Sequence, residues 1–276
     1  MHTGALRKMH AALDPGTGRV RYTLQLGEAV IDLNGRLGTG LTVRATGERT
    51  CVLCGRAVTR FFGQGFCYPC SRDAPEASEC IVRPELCRAH LGEGRDPAWE
   101  RAHHDQEHLV YLSFTGGVKV GVTRSTQVPV RWIDQGAVQA LPIARTPHRQ
   151  CAGLIEVALK AVFADRTDWR AMLRHVQPPP DALPAQRPRA LQAIPSALQA
   201  HALHAEAVVH LQYPVDHLPP KVRSVNLEKE PEVGGTLAAI KGQYLVWADG
   251  RVLNVRNHSG FHIELDDARP AGAPRS

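Results

Sequence analysis

The sequence predicts an α+β protein in which β-rich ends enclose a cysteine-rich, metal-binding segment and a mixed middle. Three observations carry that prediction. Polar and apolar side chains alternate between glycine-bearing turns near both ends of the chain. Two Cys-x-x-Cys pairs lie twelve residues apart, the pattern of a zinc ribbon. A strand hairpin in the middle gives way to apolar residues at helical spacing.

The elements follow in order. Residues 1–49 predict an N-terminal β segment of two or three strands, because Tyr22, Leu24 and Leu26 are spaced by two, as are Leu41 and Val43. Residues 50–108 hold six of the seven cysteines and, towards their end, His90, His103, His104 and His108. Periodicity is poor there, so shape depends on something other than a core. Residues 109–176 predict the order β-β-α-β-α-α. "VYLSFTGGVKVGVTR" (110–124) gives two strands around a Gly-Gly turn. "TQVPVRWIDQGA" gives a helix opened by Pro129 and closed by Gly136. "VQALPIART" is a strand. "PHRQCAGLIEVALKAVF" sets Leu154, Val157, Ala158, Ala161 and Val162 at helical spacing, and "RTDWRAMLRHV" predicts a further helix capped near Thr167.

Residues 177–210 open with six prolines within 177–195, which predicts a linker followed by a short helix around 196–210. The C-terminal β segment, 211–266, carries a hairpin turn at Asp249–Gly250. Residues 267–276 predict a loose tail. Neither terminal β segment has partners of its own, so the two are expected to pair into a small sheet or barrel, with the middle of the chain as an insertion.

Hydrophobic content of 43% and charged content of 22% are globular values. Aromatics at 5% argue against a surface of stacking platforms. A net charge of +6 makes an anionic partner plausible, nucleic acid first. No window of eighteen apolar residues occurs, so no membrane partner is expected. The N-terminus lacks an apolar stretch with a cleavage site. A cytoplasmic location is the expectation, with the cysteines serving metal or remaining free thiols rather than forming disulfides.

Cys51, Cys54, Cys67 and Cys70 supply the four thiolates a tetrahedral Zn²⁺ requires, two from each tight turn, and Gly55 suits the first turn. Such a closed shell is structural. Cys80 and Cys87 lie seven apart, and His104 and His108, if they share one helical face, would complete a second, Cys₂His₂ zinc site. The alternative is packed thiols and surface histidines. Cys151 opens an apolar helix and is expected as a buried small hydrophobe.

The hairpin places Tyr111 and Lys119 in an otherwise apolar, glycine-rich stretch that ends at Arg124. Each candidate has a structural alternative. Tyr111 is also what a core aromatic looks like, and Lys119 could point to solvent from an edge strand. Arg131 could pair with Asp134. Glu156 and Lys160 have the spacing of a helix ion pair, but Glu156 shares its face with Gly153, Leu159 and Phe163, which predicts partial burial.

"VYL" followed by "KVGVTR", an arginine on the next helix and a glutamate on a later one resembles the GIY-YIG nuclease superfamily over residues 108–176. The resemblance sets Tyr111 at the first tyrosine and Lys119-Val120-Gly121 at the second motif. Arg131 falls at the helix arginine and Glu156 at the metal-binding glutamate. It implies a three-stranded sheet with helices. It also implies metal-dependent phosphodiester hydrolysis on DNA or RNA, with Tyr111, Arg131 and Glu156 catalytic. Glu156 would hold Mg²⁺ or Mn²⁺, and Lys119, Arg124 and Arg131 would contact the nucleic acid. This chain departs from the pattern in carrying lysine at the second tyrosine and Val-Tyr-Leu at the first motif. More of the chain resembles a bacterial domain-of-unknown-function family, number 2797, through "CVLCG", "CYPC", "CIVRPELC", "GRDPAW", "RWIDQGA" and "KGQYLVWADGRVLNVRNHSGF". Three functions therefore stand open. The protein could be a zinc-containing, GIY-YIG-like nuclease or a non-catalytic nucleic-acid binder. It could also be a zinc-stabilised module for protein or small-ligand binding.

Overall fold

The computed structural model describes residues 1–174 and 176–268. In chain order it runs β1 (His2–Ala5), β2 (His10–Leu13), β3 (Val20–Leu26), β4 (Ala29–Asp32), β5 (Gly40–Arg49), α1 (Tyr68–Asp73) and α2 (Pro97–His103). Next come β6 (His108–Phe114), β7 (Val118–Arg124), α3 (Val130–Asp134), β8 (Gln139–Thr146), α4 (Arg149–Leu159), α5 (Trp169–Leu173) and α6 (Arg187–Ala193). The chain closes with β9 (Val209–His210), β10 (Arg223–Ser224), β11 (Glu232–Lys241), β12 (Tyr244–Trp247), β13 (Arg251–Asn254) and β14 (Phe261–Ala268). The class is α+β, with several sheets. The chain forms two compact units, residues 1–71 with 212 onward, and residues 72–211.

In the first unit the two ends of the chain share a sheet of order β1-β14-β5-β11-β12-β13-β10. β5 sits between β14 and β11, both antiparallel to it, so Val43 lies opposite Leu265 on one side and Val233 on the other. Leu41, Val43, Val233, Ile263 and Leu265 are all buried. An isolated hairpin is marginal in water, and pooling strands from both ends supplies the missing neighbours. β2-β3-β4 form a second sheet. There Val20, Tyr22, Leu24 and Leu26 alternate inward with a period of two. The Asp249–Gly250 turn joins β12 to β13, and Asp249 Oδ1 accepts the Arg251 N–H at 3.0 Å.

The second unit is built on a sheet of order β7-β6-β8-β9. Its core sets Val110, Leu112, Val120, Leu141 and Ile143 of the sheet against Ala152, Ile155 and Leu159 of α4. Burying a side chain of that size contributes about 1.5–3 kcal/mol.

The structure departs from the sequence expectations at several points. The buried face of α4 is Ala152, Ile155 and Leu159, whereas Leu154 and Val157 stand 45% and 46% exposed. The helix is shorter than its apolar run because a tightened turn follows Leu159, with Val162 N–H donating to Leu159 O at 3.0 Å. The cap of α5 is Asp168, one residue beyond Thr167, and it accepts the N–H groups of Arg170 and Ala171. The proline-rich segment folds back: Leu183, Ala190 and Ile194 enter the α4 core, and prolines sit in the first turns of its helical pieces, where a missing N–H costs nothing. β14 pairs with β5 as far as Ala268 opposite Gly40, so the strand runs past residue 266. Residues 269–276 of the expected tail lie outside the described residues. The cysteine-rich stretch 50–108 is divided between the two units, with Cys51–Cys70 in the first and Cys80–His104 in the second.

Candidate functional site

Among the described residues, three polar constellations stand out. The first is the cysteine quartet. β5 delivers Cys51 into a tight turn in which Cys51 N–H donates to Arg56 O and Gly55 N–H to Cys51 O, at 2.8 and 3.0 Å. Gly55 takes φ 71°, a left-handed value that favours glycine. Val52 N–H donates to Gly65 O at 2.9 Å, tying the first turn to the second, and α1 carries Cys70 one turn beyond Cys67. The four sulfurs lie within 4.8 Å of one another. Cys54 Sγ and Cys67 Sγ are 3.7 Å apart, against about 3.8 Å for the edge of a tetrahedron with Zn–S bonds near 2.3 Å. Cys51 and Cys67 are buried, Cys70 half-buried and Cys54 exposed. Burial opposes ionisation of Cys51, but the backbone N–H groups of Cys54, Cys67 and Leu53 bring its thiol down to about 6. Hydrogen bonding to Cys67 drives Cys70 the other way. These four residues fit a metal such as zinc.

The second constellation gathers Cys80, Cys87, Glu100 and His104, whose donor atoms also lie within 4.8 Å of one another. His104 is in it and His108 is not. α2 ends at His103 and the chain turns before β6 begins at His108, so the two histidines never share a helical face. His108 is buried with Nδ1 on Gln106 O at 2.7 Å, and burial lowers its pKa to about 3. The member that sequence reasoning misses is Glu100. Its signal is spacing, four residues ahead of His104 in a helix capped by Asp96.

The third constellation surrounds the β6–β7 hairpin. Tyr111 is 0% exposed and faces Gly121 across the strands. Its ring occupies the space of the missing side chain: a Cβ on Gly121 would stand 2.7 Å from Tyr111 Oη. The hydroxyl donates to Gln135 Oε1 at 3.0 Å, and Trp132 meets the ring edge-on at 5.8 Å. Burial raises the Tyr111 pKa, as does the Glu156 charge, while Arg131 opposes. Burial and then Arg131 lower Lys119 to about 8, against Glu156 and Asp165. Arg131 and Glu156 thus each bear on both Tyr111 and Lys119. Glu156 is buried, which raises its pKa, and Lys160 Nζ lies 3.4 Å from its carboxylate. The expected helix ion pair is thus present. Lys119 is buried and donates to Asp165 O at 3.4 Å, so it does not reach solvent from the edge strand as one alternative had it. Arg124 and Arg131 are half-buried.

Two further residues are accounted for by packing and backbone hydrogen bonds. Cys151 is buried on α4, and burial raises its thiol pKa. His258 of "HSG" is a structural turn residue, its Nδ1 on Asn254 O at 2.8 Å and its Nε2 accepting the Leu227 N–H at 3.1 Å. Among the described residues no helix is long and apolar enough to cross a membrane.

A family model described as "Protein of unknown function (DUF2797)" matches residues 38–263. No match was found among the curated proteins or among the solved structures.

Proposed function

The chain belongs to the DUF2797 family of proteins of unknown function, and we propose that it is a zinc-containing nucleic-acid-binding protein with a GIY-YIG-like core, working in the cytoplasm. One observation carries the proposal. Arg131 from the next helix and Glu156 from α4 both act on the hairpin's buried Tyr111 and Lys119, in a unit that runs β-β-α-β-α-α from β6 to α5.

Each residue has a role set by its surroundings. Arg131 offers a planar, permanently charged fork to a phosphate, and Arg124 adds a second cation at the end of β7. Tyr111 keeps its proton, because burial raises its pKa, so it acts as a hydrogen-bond donor that holds Gln135 beside Arg131. Lys119 balances Glu156 from within.

A second reading, metal-dependent cleavage of a phosphodiester, is favoured by Arg131 and Glu156 each acting on both Tyr111 and Lys119. Glu156 would hold a largely hydrated Mg²⁺ or Mn²⁺, which needs few protein oxygens and would polarise the phosphoryl group. Opposing it are the full burial of Tyr111 and the ammonium of Lys160 already on the carboxylate. A third possibility, a protein- or ligand-binding module, becomes the conclusion if nucleic acid does not bind.

The test is binding to mixed DNA and RNA across a salt series, with and without Mg²⁺ or Mn²⁺, for wild type, Arg131→Ala, Tyr111→Phe and Glu156→Ala. Arg131→Ala should weaken binding and lower the salt slope by about one. Unchanged affinity and slope would refute the assignment. Cleavage abolished by Glu156→Ala would establish the second reading, and cleavage surviving in both Tyr111→Phe and Glu156→Ala would identify a contaminant.

A further inference from the structure

We propose that Cys80, Cys87, Glu100 and His104 form a second zinc centre, of mixed sulfur, nitrogen and oxygen ligation, chemically distinct from the four-cysteine site.

The chain builds this cluster from two short pieces. Tight helical turns at Glu79–Ile81 and Pro84–Leu86 carry the cysteines, and Cys87 N–H closes the second turn on Pro84 O at 3.1 Å. Asp96 starts α2 by accepting the N–H groups of Ala98 and Trp99, both at 3.0 Å. That cap phases the helix so that Glu100 and His104 project from one face. The four donor atoms come within 4.8 Å of one another. Cys80 Sγ lies 3.7 Å from His104 Nδ1, and the same nitrogen meets Glu100 Oε2. The nitrogen thus faces both a thiol and a carboxylate, as a ligand atom does. Trp99 stands perpendicular to the His104 ring at 5.0 Å and holds its orientation.

Burial and charge point the same way. Glu100 and His104 are each 2% exposed. A carboxylate so buried is costly unless it is neutralised, and a dication among two thiolates and a carboxylate does this. One negative charge remains, and Arg149 lies alongside it, its Nε donating to Cys80 O and its Nη2 to Ile81 O, both at 2.9 Å. Two thiolates with one imidazole and one carboxylate are the donor set of zinc.

The loop before α2 is shaped around the carboxylate. Gly94 has φ +150°, and a Cβ there would lie 2.5 Å from Glu100 Cγ and 2.9 Å from its Oε1. The glycine of "GEGRDPAW" is therefore the space Glu100 passes through. Cys80 and Glu100 also line a cavity of about 350 Å³ with Arg88 and Arg95, so one edge of the centre is open to solvent.

The decisive measurement is X-ray absorption at the zinc edge on the zinc-loaded, full-length wild type, together with zinc content per chain. About two ions per chain and an average of about three sulfurs with one lighter donor are expected. One ion per chain with an all-sulfur shell would overturn the proposal. Glu100→Gln should weaken the second site for zinc at least tenfold (roughly the loss typical of a removed ligand or partner) and leave the all-sulfur component unchanged. Unaltered zinc affinity in that variant would remove Glu100 from the ligand set and refute the centre as described.

Discussion

Gly121 and Tyr111 should behave as one packing unit. A methyl on Gly121 would fall 2.7 Å from Tyr111 Oη, 2.8 Å from Cζ and 3.3 Å from Cε2. The ring cannot yield, because it is fully buried, edge-packed on Trp132 and tied to Gln135. Overpacking of this kind costs about 1–3 kcal/mol. Replacing a strand glycine by alanine returns roughly 0.5–1 kcal/mol of backbone entropy, so Gly121→Ala should destabilise by up to about 2.5 kcal/mol net, centred near about 1 kcal/mol. Tyr111→Phe removes the hydrogen bond to half-buried Gln135 and should cost about 0.5–1.5 kcal/mol. It also removes the closest clash and frees the ring to tilt. The double variant should therefore fall short of the sum by at least about 0.5 kcal/mol. Urea unfolding of the four proteins, with hydrogen exchange across β6 and β7 to localise the effect, measures that coupling. Additive costs, or a Gly121→Ala protein as stable as wild type, would refute the packing argument.

Three further outcomes follow from the same structure. Gly94→Ala should push the Glu100 carboxylate aside, since the new methyl would stand 2.5 Å from Glu100 Cγ; zinc content should fall by one ion per two, with the all-sulfur component retained. Stripping metal with a strong chelator should loosen residues 50–70, which hold turns and two isolated bridges in place of an extended sheet. Hydrogen exchange should show protection lost there first, and retained protection would mean the thiols need no ion. Lys241 is buried with its pKa lowered to about 7 by that burial. The folded state thus refuses a proton that the unfolded chain binds below about 10.4, so stability should rise with pH between those values. Lys241→Met should flatten that rise, an effect on the order of 2–4 kcal/mol over the interval, visible in urea midpoints at pH 7 and pH 10. Parallel pH slopes for the two proteins would count against the buried-lysine account.

What the sequence determined by itself is local. Cys51 with Cys54, and Cys67 with Cys70, announce a metal site because each pair is a turn whose two donors are fixed by a few backbone dihedrals. Tyr22, Leu24 and Leu26 announce a strand, and Asp249–Gly250 its turn, for the same reason: period and turn chemistry act over two to four residues. The family membership rests on such phrases strung along the chain. Tertiary structure decided whatever depended on segments meeting. Glu100 takes the place expected of His108 because the end of α2 at His103 cuts the helical spacing that would have paired His104 with His108. The buried face of α4 turned out to be Ile155 and Leu159, because the sheet it covers sets which stripe of an apolar helix is inside, and Leu154 and Val157 were equally apolar candidates. The proline-rich stretch looked like a linker, but Leu183 and Ile194 find a core only once α4 and the sheet stand in place. The sealing of Tyr111 against Gly121 and Gln135 is of the same kind. Residues far apart in the chain compete for one volume, and no local signal records which of them fills it.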